Sequence, residues 1–287
     1  MAIEKILKFI WNEFIYGGHL PSLGAAAIVL FSGILLNIKI TWDCLLITYF
    51  IFYLIYLYNR FKEIDVDCLT NPQRTKHIRI YFPKIPKIFY VIIFVIIGSL
   101  IYFSNIWALV FGMFLLLFGW LYTVVFKKMT QKIIIFKDLF VSAVFVLLVF
   151  FPIIYYSYPL TISLLSIALL IMVFIYFKAF MMQVFLDVKD IESDKKENLL
   201  TFPVIFGKEK MLNILGIISL LSTAPIPIIF SLYFNIFPIS TLILLLTIPF
   251  NLFCFSQAKN QKYSSYVLES SEFILWPILI IIGETII

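Results

Sequence analysis

The chain has 287 residues, of which 63% are hydrophobic and 13% are charged. A soluble domain carries about a quarter charged residues and roughly half apolar ones, so this composition excludes a water-soluble domain and favours a chain that folds in a bilayer. The net charge of +6 suggests nucleic acid in a soluble protein, but here the cations lie between apolar stretches, where they orient helices against anionic lipid. We therefore expect a lipid bilayer around the protein, no nucleic-acid partner and no obligatory protein partner.

Residues 1–18 predict an amphipathic helix that lies in the membrane interface before the first span. Charged residues interrupt this segment, which excludes the clean apolar core of a signal peptide. An ordinary soluble cap helix is the alternative interpretation. The predicted apolar face repeats at helical spacing and consists of Ile3, Ile6, Leu7, Ile10, Trp11 and Phe14.

The rest of the sequence predicts an all-α, polytopic membrane protein. A spanning helix needs about 20 mostly apolar residues, and about nine stretches meet that criterion, the first and last being the weakest. These stretches lie near residues 20–37, 42–58, 86–103, 106–125, 138–155, 163–185, 211–232, 238–256 and 268–286.

Lysine and arginine residues concentrate on one side of the predicted spans. If the spans alternate in direction, the basic connections lie on the same side as the N-terminal segment, and only Lys39 lies in a connection on the other side. The positive-inside rule places the basic side in the cytoplasm, with the spans in the cell membrane. The long cytoplasmic connections, 59–85 and 186–210, are where functional residues are expected.

The first chemical motif follows the second predicted span. Asn59, Glu63 and Asp67 are spaced i, i+4, i+8, which predicts three oxygen ligands on one helical face. Stacked carboxylates repel one another and lose solvation at the end of an apolar helix, and a divalent cation removes that penalty. Oxygen ligands favour Mg²⁺ over zinc. The alternative is a solvated charge run, because Arg60 and Lys62 intervene.

The second motif follows the sixth predicted span. Asp187, Asp190 and Asp194 are spaced i, i+3, i+7, which again places carboxylates on one helical face. Gln183 continues that face into the span. Lys178 lies half a turn away from Asp187 and is expected to pair elsewhere or to extend toward the interface.

Two facing acidic rows that bind Mg²⁺ predict an anionic ligand, and a diphosphate fits because Mg²⁺ commonly combines one or two carboxylates with phosphate oxygens. Basic side chains are then expected to contact the remaining phosphate charge. The candidates are Lys127 and Lys128 after the fourth span, and Arg74 and Lys76 after the first motif. For the two lysines, positive-inside anchoring is the alternative role.

These motifs, in this order and topology, resemble the UbiA superfamily of intramembrane prenyltransferases. Its N-x-x-x-D-x-x-x-D motif is similar to the row from Asn59 to Asp67, and its D-x-x-x-D motif to Asp190 and Asp194. The segments 187–207 and 119–130 resemble its D-x-K-D-x-E-G-D-R and Y-T/P-x-x-x-K-R-x-T stretches. The sequence departs from the family pattern where Glu63 replaces an Asp, where Arg60 replaces the common second Asp, and where Ser193 and Asn198 replace glycines.

The resemblance implies one transmembrane domain over residues 1–287, built as a helical bundle around a central cavity. It implies a prenyl diphosphate and a lipophilic acceptor, for which an aromatic ring is our first choice, with ionisation to an allylic carbocation and release of diphosphate. Two Mg²⁺ ions are implied, with Asp67, Asp190 and Asp194 as the catalytic residues. The implied metal ligands are Asn59, Glu63, Asp67, Asp187, Asp190 and Asp194, and the implied substrate contacts are Lys127, Lys128, Arg74, Lys76, Tyr122, Gln183 and His19.

Three rival interpretations stay open at this point. A membrane terpene cyclase of the same superfamily quenches the cation internally and needs no acceptor. A cation transporter or channel also places acidic residues at span ends, but predicts charges near the bilayer midplane. A homologue without catalysis is the third, because Glu63 and Arg60 alter the first motif.

Overall fold

The computed structural model describes residues 2–286, with side chains from residue 4 onward except that of Leu69. Within that range the chain is almost wholly helical and contains no strand. Short 3₁₀ or π segments continue several of the helices. The α-helices are α1 (Ala2–Tyr16), α2 (His19–Leu35), α3 (Trp42–Lys62), α4 (Ile64–Thr70), α5 (Pro72–Ile78), α6 (Ile85–Phe103), α7 (Ile106–Val124), α8 (Phe136–Leu147), α9 (Phe150–Tyr155), α10 (Ile162–Lys196), α11 (Phe202–Phe206), α12 (Lys208–Thr223), α13 (Pro225–Ile228), α14 (Thr247–Lys259), α15 (Ser264–Glu269) and α16 (Glu272–Ile286).

The predicted all-α membrane architecture is confirmed, although the predicted number of spans is only approximate. Seven helical segments of the described chain are long and apolar enough to cross a bilayer. The N-terminal pair α1 and α2 passes the same test only together and is bent by 57°. The first and last predicted spans correspond to α2, with 17 residues, and α16, with 15 residues, which are shorter than the other spans. The seven segments are Trp42–Lys62, Phe82–Phe103, Ile106–Val124, Phe136–Tyr155, Ile162–Lys196, Lys208–Tyr233 and Ile239–Lys259.

The outer surface of the bundle is apolar, as a bilayer requires. In the span Phe82–Phe103 only 17% of the most apolar stretch is buried inside the protein. Its side chains Phe94 and Tyr102 are about four-fifths exposed, and Trp107 at the start of α7 is similarly open. Apolar side chains on this scale are stable only when lipid covers them, so the chain is an integral, multi-pass membrane protein.

The predicted N-terminal amphipathic helix is present as α1. Its apolar side chains Ile6, Leu7, Ile10 and Trp11 are each more than half exposed, and the side chain of Ile3 lies outside the described residues. The bend after Tyr16 turns α1 out of line with α2, and these four side chains stay largely exposed. The position of this helix in the membrane interface stays a prediction.

Aromatic side chains fill the centre of the bundle. Phe31 on α2, Phe174 on α10 and Trp276 on α16 are buried and pack against one another, with ring centroids 5.1–5.8 Å apart. Phe273 extends this cluster toward Phe145 on α8 at 5.3 Å. The cluster fixes α10 and α16 against α2 and α8, because aromatic pairs of this kind bury large areas and prefer specific geometries.

The two connections predicted as long loops are largely helical, which corrects their boundaries. The 59–85 connection holds α4, α5 and a short 3₁₀ turn, and 186–210 begins as the continuation of α10 down to Lys196. The polar end of α10 contains no Gly or Pro that would stop it. The helix ends only where Asn198 adopts a left-handed backbone conformation, with φ 56°.

Lys178 lies fully buried inside α10 and is satisfied by a polar cluster apart from the two motifs. Its Nζ lies 2.5 Å from Glu272 Oε1 on α16 and 2.8 Å from Asn251 Oδ1 on α14. Asn251 in turn donates to Glu272 and to Glu269. This cluster ties α10, α14 and α16 together inside the bilayer, where an unpaired charge is expensive.

Breaking the buried pair is expected to destabilise the fold. Lys178→Met leaves Glu272 without its cation, and loss of one partner from a buried pair costs about 3–5 kcal/mol. The detergent-solubilised variant should therefore unfold at a clearly lower temperature, and the double variant Lys178→Met/Glu272→Leu should recover much of the loss. Lys262→Met, at an exposed position, is the control. An unchanged unfolding temperature for Lys178→Met would contradict this account.

Candidate functional site

One cavity of about 260 Å³ collects the chemistry-bearing residues of the chain. Its wall comes from the elbow between α1 and α2, from α3 to α5, from α7 and α8, from the polar end of α10, and from α15 and α16. Its deeper part is apolar, with Phe52, Ile55, Phe140, Phe145 and Phe273 among the lining side chains. The cavity therefore joins a charged rim to an apolar interior.

The first acidic row lines this cavity, although its helix is interrupted. The spacing predicts one continuous helical face from Asn59 to Asp67, but α3 ends at Lys62, and Glu63 has φ −103° and ψ 11° before α4 begins. Asn59, Glu63 and Asp67 nevertheless all face the cavity. In the orientation that satisfies its neighbours, the amide nitrogen of Asn59 donates to Glu63 at 3.1 Å and to Thr123 at 3.2 Å.

The second acidic row lines the opposite wall on α10. Asp187, Asp190 and Asp194 all face the cavity, as does Gln183 one turn earlier. Asp194 also accepts a hydrogen bond from the Thr201 hydroxyl at 3.1 Å. Because α10 continues past its apolar part, these side chains are held on a rigid helix rather than on a loop.

The short helices α4 and α5 connect the two rows. Asn71 at their junction donates to Asp190 Oδ1 at 3.2 Å and accepts from Lys189 at 3.4 Å. Arg74 on α5 pairs with Asp67 at 2.5 Å. The two rows thus share one cavity and one hydrogen-bonded network.

A cation accompanies every carboxylate of the two rows. Besides the Arg74–Asp67 pair, Asp190 lies 3.5 Å from the ammonium of Lys189. Lys127 bridges Glu63 at 2.6 Å and Glu197 at 2.8 Å, which joins the end of α7 to the end of α10. Lys137, the second residue of α8, pairs with Asp187 at 2.6 Å and with Asp194 at 3.3 Å.

Electrostatics at the rim reflect burial and crowding by carboxylates. Burial raises the pKa of the Glu63 carboxyl, and the neighbouring Lys127 ammonium offsets that rise only in part. Burial by itself lowers the pKa of Lys127, but Glu63 and Glu197 reverse the effect and raise it. Burial likewise acts to lower the pKa of Arg74, and Asp67 and Asp190 raise it overall. The crowded carboxylates therefore favour positively charged groups beside them throughout the rim.

The donor set fits a hard divalent cation that shares its coordination with a ligand. Its side chains offer oxygen only, which suits Mg²⁺. Asp187 Oδ2 and both carboxylate oxygens of the neighbouring Asp138 are buried without a hydrogen-bond partner among the described residues. Within the same residues, no three His, Cys, Asp or Glu side chains converge closely enough to hold a metal by themselves. A bound cation would thus take one or two carboxylates from the protein and further oxygens from a ligand.

The predicted substrate contacts divide into two groups. Arg74, Lys127, Tyr122 and Gln183 line the cavity. The structure does not bring the other three to it. Lys76 and Lys128 are exposed on the surface, since Lys128 faces away from the cavity while the preceding Lys127 faces into it.

His19 belongs to a different environment from the acidic rows. Its Nε2 lies 3.2 Å from Glu13 Oε1, and its ring stacks on Tyr53 with centroids 4.6 Å apart. It lines a separate apolar groove of about 650 Å³ between α1, α2, α3 and α16. His77, the other histidine of the chain, contacts the second oxygen of Glu13 at 2.6 Å. An acceptor contact by His19 stays a prediction.

Several residues of the site were not predicted. The most informative is Lys137, which in the sequence looks like one more basic anchor of the cytoplasmic side. The signal that would have identified it is its position beside Asp138 at the start of an apolar helix, where a cation–carboxylate pair has little solvent to stabilise it. The other unpredicted residues in or beside the cavity are Arg60, Asn71, Asp138, Lys189, Glu197 and Tyr263.

Comparison with known protein families gives one match. The model of the UbiA prenyltransferase family matches residues 20–275, which includes both acidic rows and most of the described helices. A comparison with curated protein sequences finds none that matches.

Solved structures with a similar fold are found across nearly the full chain. A UbiA homologue from Aeropyrum pernix K1, solved in its apo form, is similar with a TM-score of 0.69, 14% identity and coverage of 92% of this chain and 97% of that one. A UbiA homologue from Archaeoglobus fulgidus, bound to GPP and Mg²⁺, gives a TM-score of 0.61 at 17% identity, covering 94% and 99%. A digeranylgeranylglyceryl phosphate synthase gives 0.54 at 16% identity, covering 98% and 97%. At these identities the likeness shows the fold.

The pairing of every carboxylate of the two rows with a cation leads to a binding prediction. Mg²⁺ alone has to displace lysine and arginine from the carboxylates, whereas Mg²⁺ with inorganic diphosphate gives those cations a new anionic partner. We expect the two together to raise the unfolding temperature of the solubilised protein and either alone to raise it much less. At a ligand concentration of a hundred times Kd, the expected stabilisation is about 2.7 kcal/mol. Asp190→Asn should abolish the effect. The full shift with Mg²⁺ alone, or no shift with both, would contradict this description of the site.

Proposed function

This chain belongs to the UbiA prenyltransferase family, and from that premise we propose that it transfers a polyprenyl group from its diphosphate to a lipophilic acceptor inside the membrane. An acceptor with an aromatic ring is the first choice. The single observation that carries the proposal is the convergence of both acidic rows on one cavity whose interior is apolar. Such a cavity suits a substrate with a diphosphate head and a hydrocarbon tail.

The acidic rows are proposed to hold two Mg²⁺ ions. Asn59, Glu63 and Asp67 would hold one, and Asp190 and Asp194, with Asp187, would hold the other. When bound, Mg²⁺ neutralises diphosphate charge and makes diphosphate a better leaving group. The structure of the Archaeoglobus fulgidus homologue contains both GPP and Mg²⁺, which supports Mg²⁺ as the metal that accompanies the diphosphate.

The basic side chains of the rim are proposed to bind the phosphate oxygens. Lys127, Lys137 and Arg74 line the cavity and already neutralise carboxylates of both rows. Their charges are held in a partly desolvated site, where charge-assisted hydrogen bonds to phosphate are strong. They would hold the diphosphate at the rim, which leaves the prenyl chain directed into the apolar interior.

The interior is proposed to protect the reacting carbon. The bond between the prenyl carbon and the diphosphate oxygen breaks, and its electron pair leaves with the diphosphate. The aromatic side chains of Phe140, Phe145 and Tyr122 line the cavity, where they would stabilise the allylic cation through their ring faces and exclude water. An acceptor carbon or oxygen then forms the new bond to the prenyl carbon, and the proton that it loses passes to the released diphosphate.

Asp67 and Asp65 form a matched pair for testing the first row. They lie two residues apart on α4, but Asp67 lines the cavity while the side chain of Asp65 is 89% exposed and contacts Arg79. We expect Asp67→Asn to reduce transfer from geranylgeranyl diphosphate at least about a hundredfold, because a missing transition-state charge interaction costs roughly 3–4 kcal/mol. Asp65→Asn should retain activity. Full activity in Asp67→Asn, or activity that survives EDTA, would contradict the metal assignment.

Acceptor dependence separates the transferase from its cyclase rival. Membranes containing the protein are incubated with Mg²⁺ and labelled geranylgeranyl diphosphate, with and without a panel of aromatic and glycerol-based acceptors. We expect labelled prenylated product only when an acceptor is present. A cyclic hydrocarbon formed without acceptor would instead identify a terpene cyclase.

The site is further proposed to open to the cytoplasm, because the basic connections lie at this end of the bundle. Cys68 on α4 is an internal probe, since it is exposed while Cys44 and Cys254 are buried. In intact cells we expect a membrane-impermeant maleimide to leave the protein unlabelled and to label it after permeabilisation. Cys68→Ser should remove the label, and labelling of Cys68 in intact cells would reverse the orientation.

A further inference from the structure

Glu13 on α1 is a carboxylate outside both acidic rows. It lines the apolar groove rather than the cavity that the rows share. His77 on α5 donates through Nε2 to its Oε2 at 2.6 Å. The Tyr81 hydroxyl, just after α5, donates to its Oε1 at 3.2 Å, and His19 Nε2 on α2 lies at the same distance from that oxygen. Hydrogen bonds to a charged group are about twice as strong as neutral ones, so Glu13 ties α1 to both α2 and α5.

The turn after α1 leaves space for this carboxylate. The N–H of Gly17 donates to the Glu13 carbonyl oxygen at 2.7 Å and closes the last turn of the helix. A Cβ atom at position 17 would lie 2.5 Å from the same carbonyl oxygen and would overlap the carboxylate itself. Glycine permits such a close approach, so the elbow between α1 and α2 is shaped around the Glu13 side chain.

One face of α1 contacts α5 at both of its ends. Phe9, Glu13 and Tyr16 are spaced i, i+4, i+7 and share that face. The Phe9 ring packs on the His77 ring with centroids 5.1 Å apart. The Tyr16 hydroxyl donates to Gln73 Oε1 at 2.7 Å. His77 is only 4% exposed, so α1 covers the side of α5 on which these residues lie.

The short helix α5 depends on contacts of this kind. It has seven residues, and isolated helices shorter than about 12–15 residues are marginally stable in water. At its end, Ile78 is buried in an apolar cluster with side chains of α3 and α6. The hydrogen bonds from α1 hold its polar side. Loss of the Glu13 carboxylate would therefore weaken the attachment of that side.

The same short helix presents groups that hold both acidic rows. Arg74, next to Gln73 in the chain, pairs with Asp67 of the first row at 2.5 Å. Asn71, directly before α5, donates to Asp190 of the second row at 3.2 Å. A displacement of α5 would change both contacts together, because Asn71 and Arg74 are only three residues apart. A continuous set of contacts thus connects Glu13 on α1 to the two rows.

We propose that Glu13 is a positioning residue for the diphosphate site, because through His77 it holds α5 where Arg74 and Asn71 meet the two acidic rows. The inference rests on the proposed transferase function and adds to it a residue that touches neither substrate nor metal. Without the carboxylate, α5 adopts the competent arrangement in only a fraction of the molecules. The apparent affinity for Mg²⁺ with diphosphate falls by that fraction, whereas the complex, once formed, reacts as before.

Binding and kinetics of Glu13→Gln test this role. We expect the solubilised variant to bind Mg²⁺ with inorganic diphosphate about tenfold more weakly than the wild type, as the loss of a hydrogen bond to a charged group predicts. In membranes, KM for geranylgeranyl diphosphate should rise while kcat at saturating donor stays unchanged. Glu4→Gln, the same change at an exposed position of the same helix, is the control and should change neither. Unchanged affinity, or a reduced kcat with unchanged KM, would overturn the proposal.

Hydrogen–deuterium exchange shows where Glu13→Gln acts. Without ligand, the amides of α5 should exchange faster than in the wild type, and Mg²⁺ with diphosphate should return them to the wild-type rate. The amides of α10 should be unaffected, because local opening exposes only the segment that has lost its contacts. Faster exchange throughout the chain would instead indicate general destabilisation, and unchanged exchange in α5 would separate Glu13 from this helix; either result contradicts a positioning role.

A double-mutant cycle with His77 tests whether the two residues act as one unit. His77→Gln should weaken binding of Mg²⁺ with diphosphate about as much as Glu13→Gln, and the double variant should bind no more weakly than the single ones. Losses that multiply would show independent effects and overturn the proposal. If the wild type does not bind Mg²⁺ with diphosphate, the proposed transferase function is wrong. Wild-type binding that Glu13→Gln leaves unchanged removes only this inference.

Discussion

The neutralisation of crowded carboxylates at the end of apolar helices organises the polar end of this protein. Carboxylates of the two rows lie at the rim of one cavity in a partly desolvated setting, and each is met by a lysine or arginine, which comes from a different element in every case except Asp190. The connection after α7 supplies Lys127, α8 supplies Lys137 and α5 supplies Arg74. Because an unpaired charge in such surroundings is strongly unfavourable, the pairs of Lys127 and Lys137 also fix how the turn after α7 and the start of α8 pack on α10.

The same pairs prepare the site for its proposed substrate. A cation that leaves a carboxylate needs another anion, and a carboxylate that loses its cation needs a metal. Diphosphate with Mg²⁺ supplies both at once, so the protein would exchange one set of ion pairs for another. Glu63 is the carboxylate that departs from the family pattern, and it fits such an exchange because it pairs with Lys127. The same lysine also pairs with Glu197 at the end of α10. Lys178 and Glu272 show the contrasting case, in which a buried pair satisfied by Asn251 holds helices together.

Much of this arrangement could be predicted from the sequence, because it depends on local patterns. Apolar stretches of spanning length identify the helices, and i, i+3, i+7 spacing places Asp187, Asp190 and Asp194 on one face of α10. Features that depend on three-dimensional proximity could not be predicted. Lys127 and Lys128 are equivalent in the sequence, and only the turn after α7 decides which faces the cavity. No Gly or Pro marks the break at Glu63 in the sequence, and the separation of His19 from the rows depends on tertiary packing.

The most direct test of the central claim is whether residues of both rows hold the same metal–diphosphate assembly. Mn²⁺ in place of Mg²⁺ allows electron paramagnetic resonance of the solubilised protein with inorganic diphosphate, and coupling of the metal to phosphorus reports the assembly. We expect this coupling in the wild type and in Asp65→Asn, and its loss or strong weakening in both Asp67→Asn and Asp190→Asn. Undiminished binding and coupling in either of the last two variants would contradict a shared site.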